Sequence, residues 1–483
     1  MMKPTKQSYQ KARFLATHIK QLLFFGFLVV FGFIGLLWFA RPKTSTVEKR
    51  DLTPFPKLTL AGIWDGSFFS GVETWYADTY PLREGLIDMD AKLENLYGRR
   101  SEQIINNGEK ADEIPTGTVD LEELAGKTTT EAPPATKASD SGETPVTQAT
   151  EATEPPTTEP NGQGAADVTD GLVQSGSIYI ANGCGYGVYY FSEANSARYC
   201  LLVNKLAKNL AGKAQVYSML CPISAGVMLS DEVRESTGAS DENAATEWFY
   251  RNMDKSVKTV SMFNSLKAHN DEYIFFHTDH HWTALGAYYA YREWCKVKGV
   301  EPHELSYFEK TYEFEGFLGT FYSNSNKNAS LAANPDTVKA YVPNGTNKMT
   351  MFVGSGDGSF KEYSWRIVND VSNYTKSELY ATFAGGDQAY NVAHNEAIHD
   401  GSSVLIVKDS YGNAFIPYLI DHYEYIYWID FRNYKKWCKW AGYSDPSISD
   451  LVERKNIQDV ILCHNISIAG SSSALEVMEG IYK

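Results

Sequence analysis

The run from Leu22 to Ala40 carries no charged residue and is rich in Leu, Phe, Val and Ile. As a helix it is long enough to cross the hydrocarbon core of a bilayer, and no other run in the chain shares this character. Lys3, Lys6, Lys11, Arg13 and Lys20 precede it with no acidic residue among them, so the preference for positive charge on the cytoplasmic side keeps residues 1–21 inside. A cleaved signal peptide is the competing reading, but the run is long for one, and Trp38 stands where a small residue should precede cleavage after Ala40. Residues 22–40 are therefore expected to be an uncleaved transmembrane signal anchor. Everything after them is expected outside the cytoplasm.

The remaining length accommodates one or two soluble domains. The formal net charge of −15 suggests a basic partner until it is located, because Glu109 to Asp170 holds 14 acidic against 3 basic residues. The rest of the chain is near neutral. No basic stripe interleaved with aromatics follows the anchor, so no nucleic-acid partner is expected. The six cysteines, Cys184, Cys200, Cys221, Cys295, Cys438 and Cys463, all lie beyond the anchor, where disulfides are chemically permitted. None forms a CxxC pair, and mostly buried thiols are expected.

Residues 108–170 turn to Thr, Glu, Pro, Ala and Ser, a composition too poor in apolar surface to offset the entropy of ordering. They are expected to form a disordered insertion. Residues 41–107 are different in kind, with Trp64, Phe68, Phe69, Trp75, Tyr76, Tyr80 and Leu82 followed by helically spaced Leu86, Met89, Leu93 and Leu96. This segment is expected to pack on the main domain, residues 171–483.

In that domain short apolar runs alternate with helical text, the pattern of an α/β fold with a mostly parallel sheet. The expected strands are 177–181, 215–220, 273–276, 404–407, 425–429 and 460–463; helices are expected over 192–210, 283–298 and 414–422. Ligands collect at the carboxyl ends of such strands, and two polar clusters fall there. The first is Asp279-His280-His281-Trp282, in which Asp279 and His281 have the spacing for a carboxylate to hold an imidazole in one tautomer as a general base. The second is Asp409-Ser410-Tyr411-Gly412-Asn413, with Ser410 at a strand-to-helix bend. Backbone N–H groups at the helix start are candidates to stabilise an oxyanion. Gly412 would permit close approach of a substrate, and Asn413 would donate a side-chain N–H. The plainer reading is that Asp409 and Ser410 merely cap a helix. Taken together, the clusters supply nucleophile, base and orienting acid.

These residues, with the upstream text Asp65-Gly-Ser-Phe-Phe and Trp75-Tyr-Ala-Asp-Thr-Tyr-Pro-Leu-Arg83, resemble the DHHW family, which is similar to the alginate O-acetyltransferases and belongs with the SGNH hydrolases. The resemblance implies a three-layer SGNH-like α/β domain with Ser410 as nucleophile, His281 as base and Asp279 as its partner. Lys408 stands where the commoner pattern has glycine before Asp-Ser. Tyr411, Gly412, Asn413, His280 and Arg432 are candidate oxyanion or substrate-binding residues. For His280 packing or hydrogen bonding is the plainer role, and for Arg432 a cross-link between loops.

A zinc reading of His277, Asp279, His280 and His281 would need a histidine at position 275, where Phe275 stands, and nothing brings His422 or His464 near. Neither a metal nor a cofactor is expected. The function that follows is transfer of acetyl groups to hydroxyls of a cell-surface or secreted polysaccharide through an acyl-serine. The resemblance further implies a multispanning membrane acyltransferase as acyl supplier. A carbohydrate acetyl esterase with the same triad and a non-catalytic glycan-binding or assembly factor are the alternatives.

Overall fold

A computed structural model of the chain describes residues 177–483 continuously and, before them, residues 26, 41–45, 50–64, 66–81, 85, 103–105, 110–117 and 119–126. The expected membrane span lies outside the described residues apart from Gly26, as does the expected helix over 86–97. Among the described residues no helix is long and apolar enough to cross a membrane. The chain divides into two contact units, Met1–Tyr97 and Gly98–Lys483.

In the first unit Thr44–Ser45 pairs antiparallel with Arg50–Asp51, and the helices Leu60–Trp64 and Ser67–Asp78 follow. The longer helix starts after Gly66, whose φ of 82° is open to glycine without strain. At its other end the Asp78 carboxylate accepts from the backbone N–H of Thr53 at 2.7 Å and from its hydroxyl at 2.8 Å.

The second unit is a mixed α/β structure around one large sheet. Its strands are β1 (Gln215–Cys221), β2 (Lys258–Thr259), β3 (Lys348–Gly354), β4 (Phe360–Arg366), β5 (Asn391–His394), β6 (Ser403–Lys408), β7 (Tyr425–Asp430) and β8 (Asp459–Asn465), in the spatial order β4-β3-β5-β7-β6-β8-β1-β2. From β7 to β2 all neighbours are parallel, whereas β5, β3 and β4 extend the sheet antiparallel. Every residue of β6 and β8 is buried, which is why their middles, residues 404–407 and 460–463, read as apolar runs. The main helices are α1 (Glu193–Asn209), α2 (Ala284–Lys298), α3 (Tyr411–Leu419) and α4 (Phe431–Trp440). Helix α2 opens on Thr283, whose hydroxyl accepts from Gly286 N–H at 3.3 Å, and closes on Gly299 at φ 82°.

Three expectations change. The strand 177–181 exists but lies in a separate three-stranded sheet, Gln103–Ile105, Ser177–Ala181 and Cys184–Val188. Because residues 103–105 precede the acidic insertion and their partner strand follows it, the insertion is closed off at its base by this pairing. Residues 110–117 and 119–126, expected to be disordered, are structured. Asp120 caps the helix Leu121–Ala125 by accepting from Glu122 N–H at 3.0 Å, and Leu124 is buried. The stretch 273–276 is not a strand. Phe275 forms one isolated bridge to Trp282, Phe276 N–H donates to His281 O, and Thr283 N–H donates to Ile274 O at 2.9 Å. Its apolar residues are buried in a loop that doubles back, so their hydrophobicity reflects burial and not a place in the sheet.

The cysteine side chains are free thiols, with Cys200, Cys221, Cys295, Cys438 and Cys463 buried. Cys221 and Cys463 approach to 3.7 Å between sulfurs on β1 and β8.

Candidate active site

Strand β6 ends at Lys408, and the chain turns through Asp409 and Ser410 into α3. Asp409 is fully buried and fixes this turn: its carboxylate accepts from Tyr411 N–H at 2.8 Å and from Asn465 N–H at 2.7 Å. Burial works to raise its carboxyl, but the His464 imidazole, with Nδ1 3.8 Å from Oδ2, and these amides hold it below the usual range. Ser410 occupies the N-cap position of α3 yet makes no side-chain capping bond. Capping is Asp409's contribution, and the Ser410 hydroxyl, half-buried among fully buried neighbours, is directed elsewhere.

It meets His281. Ser410 Oγ lies 2.7 Å from His281 Nε2, and His281 Nδ1 lies 2.5 Å from Asp279 Oδ1. The loop before α2 supplies both residues, so the helix start and the strand end converge from positions 129 residues apart. The other oxygen of Asp279 accepts from the Thr320 backbone N–H at 2.8 Å and from its hydroxyl at 3.1 Å. Burial alone would raise the Asp279 carboxyl, but the charges of His281 and His280 and these hydrogen bonds hold it well below the usual carboxylate range. An ionised, fixed carboxylate behind an imidazole that touches a serine hydroxyl is the arrangement for proton abstraction by His281 and attack by Ser410.

The loops are locked around this line. Tyr380 stacks on the His281 ring, centroids 4.0 Å apart and planes 10° apart, and its hydroxyl donates to Ser410 O at 3.0 Å. Trp282 Nε1 donates to Tyr411 O at 3.0 Å, and the Tyr411 hydroxyl donates to His280 O at 2.5 Å. A Cβ on Gly319 would lie 2.2 Å from Asp279 Oδ2, so only glycine leaves room for the carboxylate.

The structure brings Asp279, His281 and Ser410 together as expected, and gives the remaining candidates other positions. His280 is half-buried with Nδ1 2.6 Å from the Thr320 hydroxyl, and burial together with the charge of His281 pushes its imidazole down to about 4. Tyr411 is fully buried and joins the two loops. Gly412 faces β6, where a Cβ would come within 2.6 Å of Lys408 Cβ; it permits helix-on-strand packing, not approach of a substrate. The backbone N–H groups of Tyr411, Gly412 and Asn413 donate to Asp409 Oδ1, Asp409 O and Ser410 O, so the first turn of α3 does not hold them free for an oxyanion. The side-chain N–H of Asn413 is also engaged, donating to Asp387 Oδ1 at 2.9 Å.

Asp387 belongs to a second cluster that the sequence reading missed. Lys408 is fully buried, and its ammonium donates to Asp387 Oδ1 at 2.8 Å and Gly386 O at 3.1 Å. Arg432 donates to Asp387 Oδ2 at 2.8 Å and through two nitrogens to Asp430 at 2.8 and 2.6 Å. Arg432 is thus a cross-link between loops. Burial would raise the Asp387 carboxyl, but Lys408 and Arg432 hold it well below the ordinary range. Thr320 opens the short helix Thr320–Asn324, Tyr380 lies in the 3-10 turn Leu379–Thr382 and Asp387 in a loop; all three are far from either motif in sequence, and no spacing pattern marks them.

One ligand atom each from Asp279, His280 and His281 fall within 4.8 Å of one another. Both ring nitrogens of His281 are already in hydrogen bonds, so a cation there would have to displace Asp279 or Ser410.

No curated protein matches the chain. Among solved structures, a DHHW family protein of Eubacterium siraeum is 29% identical, with 64% of this chain and 96% of that chain covered at a TM-score of 0.54. PatB1 of Bacillus cereus, solved with a sulfonyl adduct, is 16% identical over 62% of this chain and 97% of that chain at 0.50, a likeness of fold. The O-acetyltransferase domain of Pseudomonas putida AlgJ is 12% identical over 62% and 98% at 0.35, too loose to argue from. The DHHW protein family model matches residues 48–429, which include both motifs and most of the chain, and the chain therefore belongs to the DHHW family.

Proposed function

We propose that this protein is an extracytoplasmic, serine-dependent O-acetyltransferase acting on hydroxyls of a cell-surface or secreted polysaccharide, carried on a three-layer SGNH-like domain. The observation that carries the reading is the continuous line Asp279–His281–Ser410, with 2.5 and 2.7 Å between successive partners. His281 takes the Ser410 proton as Oγ attacks the carbonyl carbon of an acetyl donor. The tetrahedral intermediate expels the donor's leaving group, which leaves with the proton from His281. In the second half His281 deprotonates a sugar hydroxyl, whose oxygen attacks the acetyl carbon; the acyl–Oγ bond breaks and Ser410 Oγ takes that proton back from His281.

Residues 22–40 would anchor the protein by one span with residues 1–21 in the cytoplasm. A multispanning membrane acyltransferase is the proposed acyl supplier. An acetyl esterase would share the first half-reaction and use water in the second. Incubating the purified full chain with an acetyl ester and soluble oligosaccharides separates them: acetylated sugar supports transfer, whereas free acetate alone at saturating acceptor establishes hydrolysis. Absence of any Ser410 acylation would leave the glycan-binding or assembly reading.

A further inference from the structure

Apolar exposure is unevenly spread in this protein. Among the described residues nine large hydrophobic side chains are exposed, and five of them, Phe55, Leu58, Ile63, Trp64 and Phe69, fall between residues 55 and 69. Trp64 is 94% exposed, Leu58 67% and Phe69 60%. From Leu52 to Phe69 the only charged residues are Lys57 and Asp65. Apolar exposure gathered on one short folded segment marks a candidate binding face.

The place of the patch identifies what it binds. Beyond Arg41 the chain turns back on itself: Thr44–Ser45 pairs with Arg50–Asp51, and Leu52 N–H donates to Lys43 O at 2.8 Å. The first residue after the apolar run, Arg41, is itself fixed to the helix Ser67–Asp78. Its guanidinium lies 4.0 Å from the Trp75 ring centroid and donates to the Thr79 hydroxyl at 3.0 Å. Phe55 meets the same Trp75 edge-on at 4.8 Å, and a Cβ on Gly71 would lie 2.9 Å from Pro56. The segment 52–79 is therefore held as one piece against the residue at which the chain would leave a bilayer.

We propose that this piece is an interfacial foot, with Phe55, Leu58, Ile63, Trp64 and Phe69 inserted into the outer headgroup and acyl boundary beside the anchor. Tryptophan and phenylalanine suit that boundary, where an apolar ring gains burial beside polar headgroups. The occupant is lipid because the covalent path leaves the patch nowhere far from the surface: Arg41 would stand at the interface, and the helix is fixed to Arg41. The proposal rests on residues 22–40 spanning the membrane. It goes beyond the transferase reading by restricting the motion of the segment that joins anchor to enzyme.

The test uses the full chain in phosphatidylcholine vesicles with brominated or unbrominated acyl chains, reading tryptophan emission. The chain has 10 tryptophans; bromine should remove the emission of Trp38 in the anchor and of Trp64 in the foot. Trp64→Phe should then abolish one tryptophan's share of the quenching, Trp38→Phe the other, and Trp64→Phe combined with Phe69→Trp should restore it. Quenching unaffected by Trp64→Phe, while Trp38 is quenched, overturns the foot and spares the anchor. So does a Trp64 signal quenched by aqueous acrylamide in place of bromine, or by neither, the last meaning that protein covers the patch. An unquenched Trp38 overturns the anchor and the foot together.

Discussion

Two clusters of ionisable side chains flank the end of β6, and they are built to opposite ends. In the triad each group hands on to the next, from Asp279 to His281 to Ser410, and the line terminates in a half-buried hydroxyl. In the other cluster Asp387 and Asp430 face Lys408 and Arg432, two carboxylates against two cations, with the bonds closing on one another. An open chain of polar groups moves protons. A closed one holds a loop in place. On the transferase reading proposed above, proximity to Ser410 and a displaced carboxyl would not by themselves make a residue catalytic, since Asp279 and Asp387 are both held well below the usual range.

The sharpest way to break the comparison is to remove one member from each cluster. Ser410→Ala should lower acetyl-ester turnover by about 10⁴-fold or more while the unfolding midpoint stays within error, because a small half-buried hydroxyl is lost and no charge is stranded. Equal losses of turnover and stability would mean that Ser410 is a structural cap. Lys408→Met should do the reverse: it leaves Asp387 and Asp430 with Arg432 as the cluster's one remaining cation and should cost about 3–5 kcal/mol in denaturant unfolding. If Lys408→Met unfolds normally but loses activity, the closed cluster belongs to the chemistry.

These two residues also mark what the sequence made legible. Ser410, His281 and Asp279 could be read because each sits in a short motif whose spacing has a chemical reason, and β1, β6, β7 and β8 because the middles of these buried strands are mostly apolar. Lys408 could be seen only as a departure, since its partner Asp387 is 21 residues away in a loop without a pattern. The strands β3, β4 and β5 were not read at all. The edge strand β4 keeps Lys361, Glu362, Ser364 and Arg366 exposed, so it lacks the apolar run by which its parallel neighbours declare themselves. The helix Leu121–Ala125 was hidden for the opposite reason, two leucines and an alanine inside an acidic tract whose average composition spoke for disorder.

Gly319→Ala tests whether the open chain depends on one oxygen's position. The added Cβ would overlap Asp279 Oδ2 and must push the carboxylate away from Thr320. Turnover should fall about 100-fold, the order expected when catalytic groups shift by an ångström. A wild-type rate would mean that the Asp279 position is not critical.

Acid should then separate His280 from Asp279 by stability. Burial and His281 lower the His280 pKa from the ordinary value to about 4, so the unfolded chain takes up this proton first as pH falls. The stability in question is fully present above about pH 6.5 and is lost progressively down to about pH 4, on the order of 3 kcal/mol in all. Asp279 acts in a lower window, because a depressed carboxyl contributes stability that is lost only as pH falls through and below the ordinary carboxylate range. Denaturant unfolding of His280→Gln should be flatter than wild type between pH 6.5 and 4 and parallel to it below. Identical slopes in the upper window would remove His280 as the source.

The smallest effect belongs to Thr320, which touches the open chain from outside. Its hydroxyl contacts both Asp279 Oδ2 and His280 Nδ1, but its backbone N–H supplies the shorter bond to Asp279, and no side-chain change removes that one. Thr320→Val should therefore cost about fivefold in turnover, roughly 1 kcal/mol, the net worth of one hydrogen bond. Thr320→Ser should restore it, because the hydroxyl and not the methyl faces the carboxylate. If Ser fails where Val also fails, the methyl's packing sets the loop. If neither changes the rate, the backbone N–H and His281 suffice to orient Asp279, and the open chain is as well supported from the main chain as the closed one is by its cations.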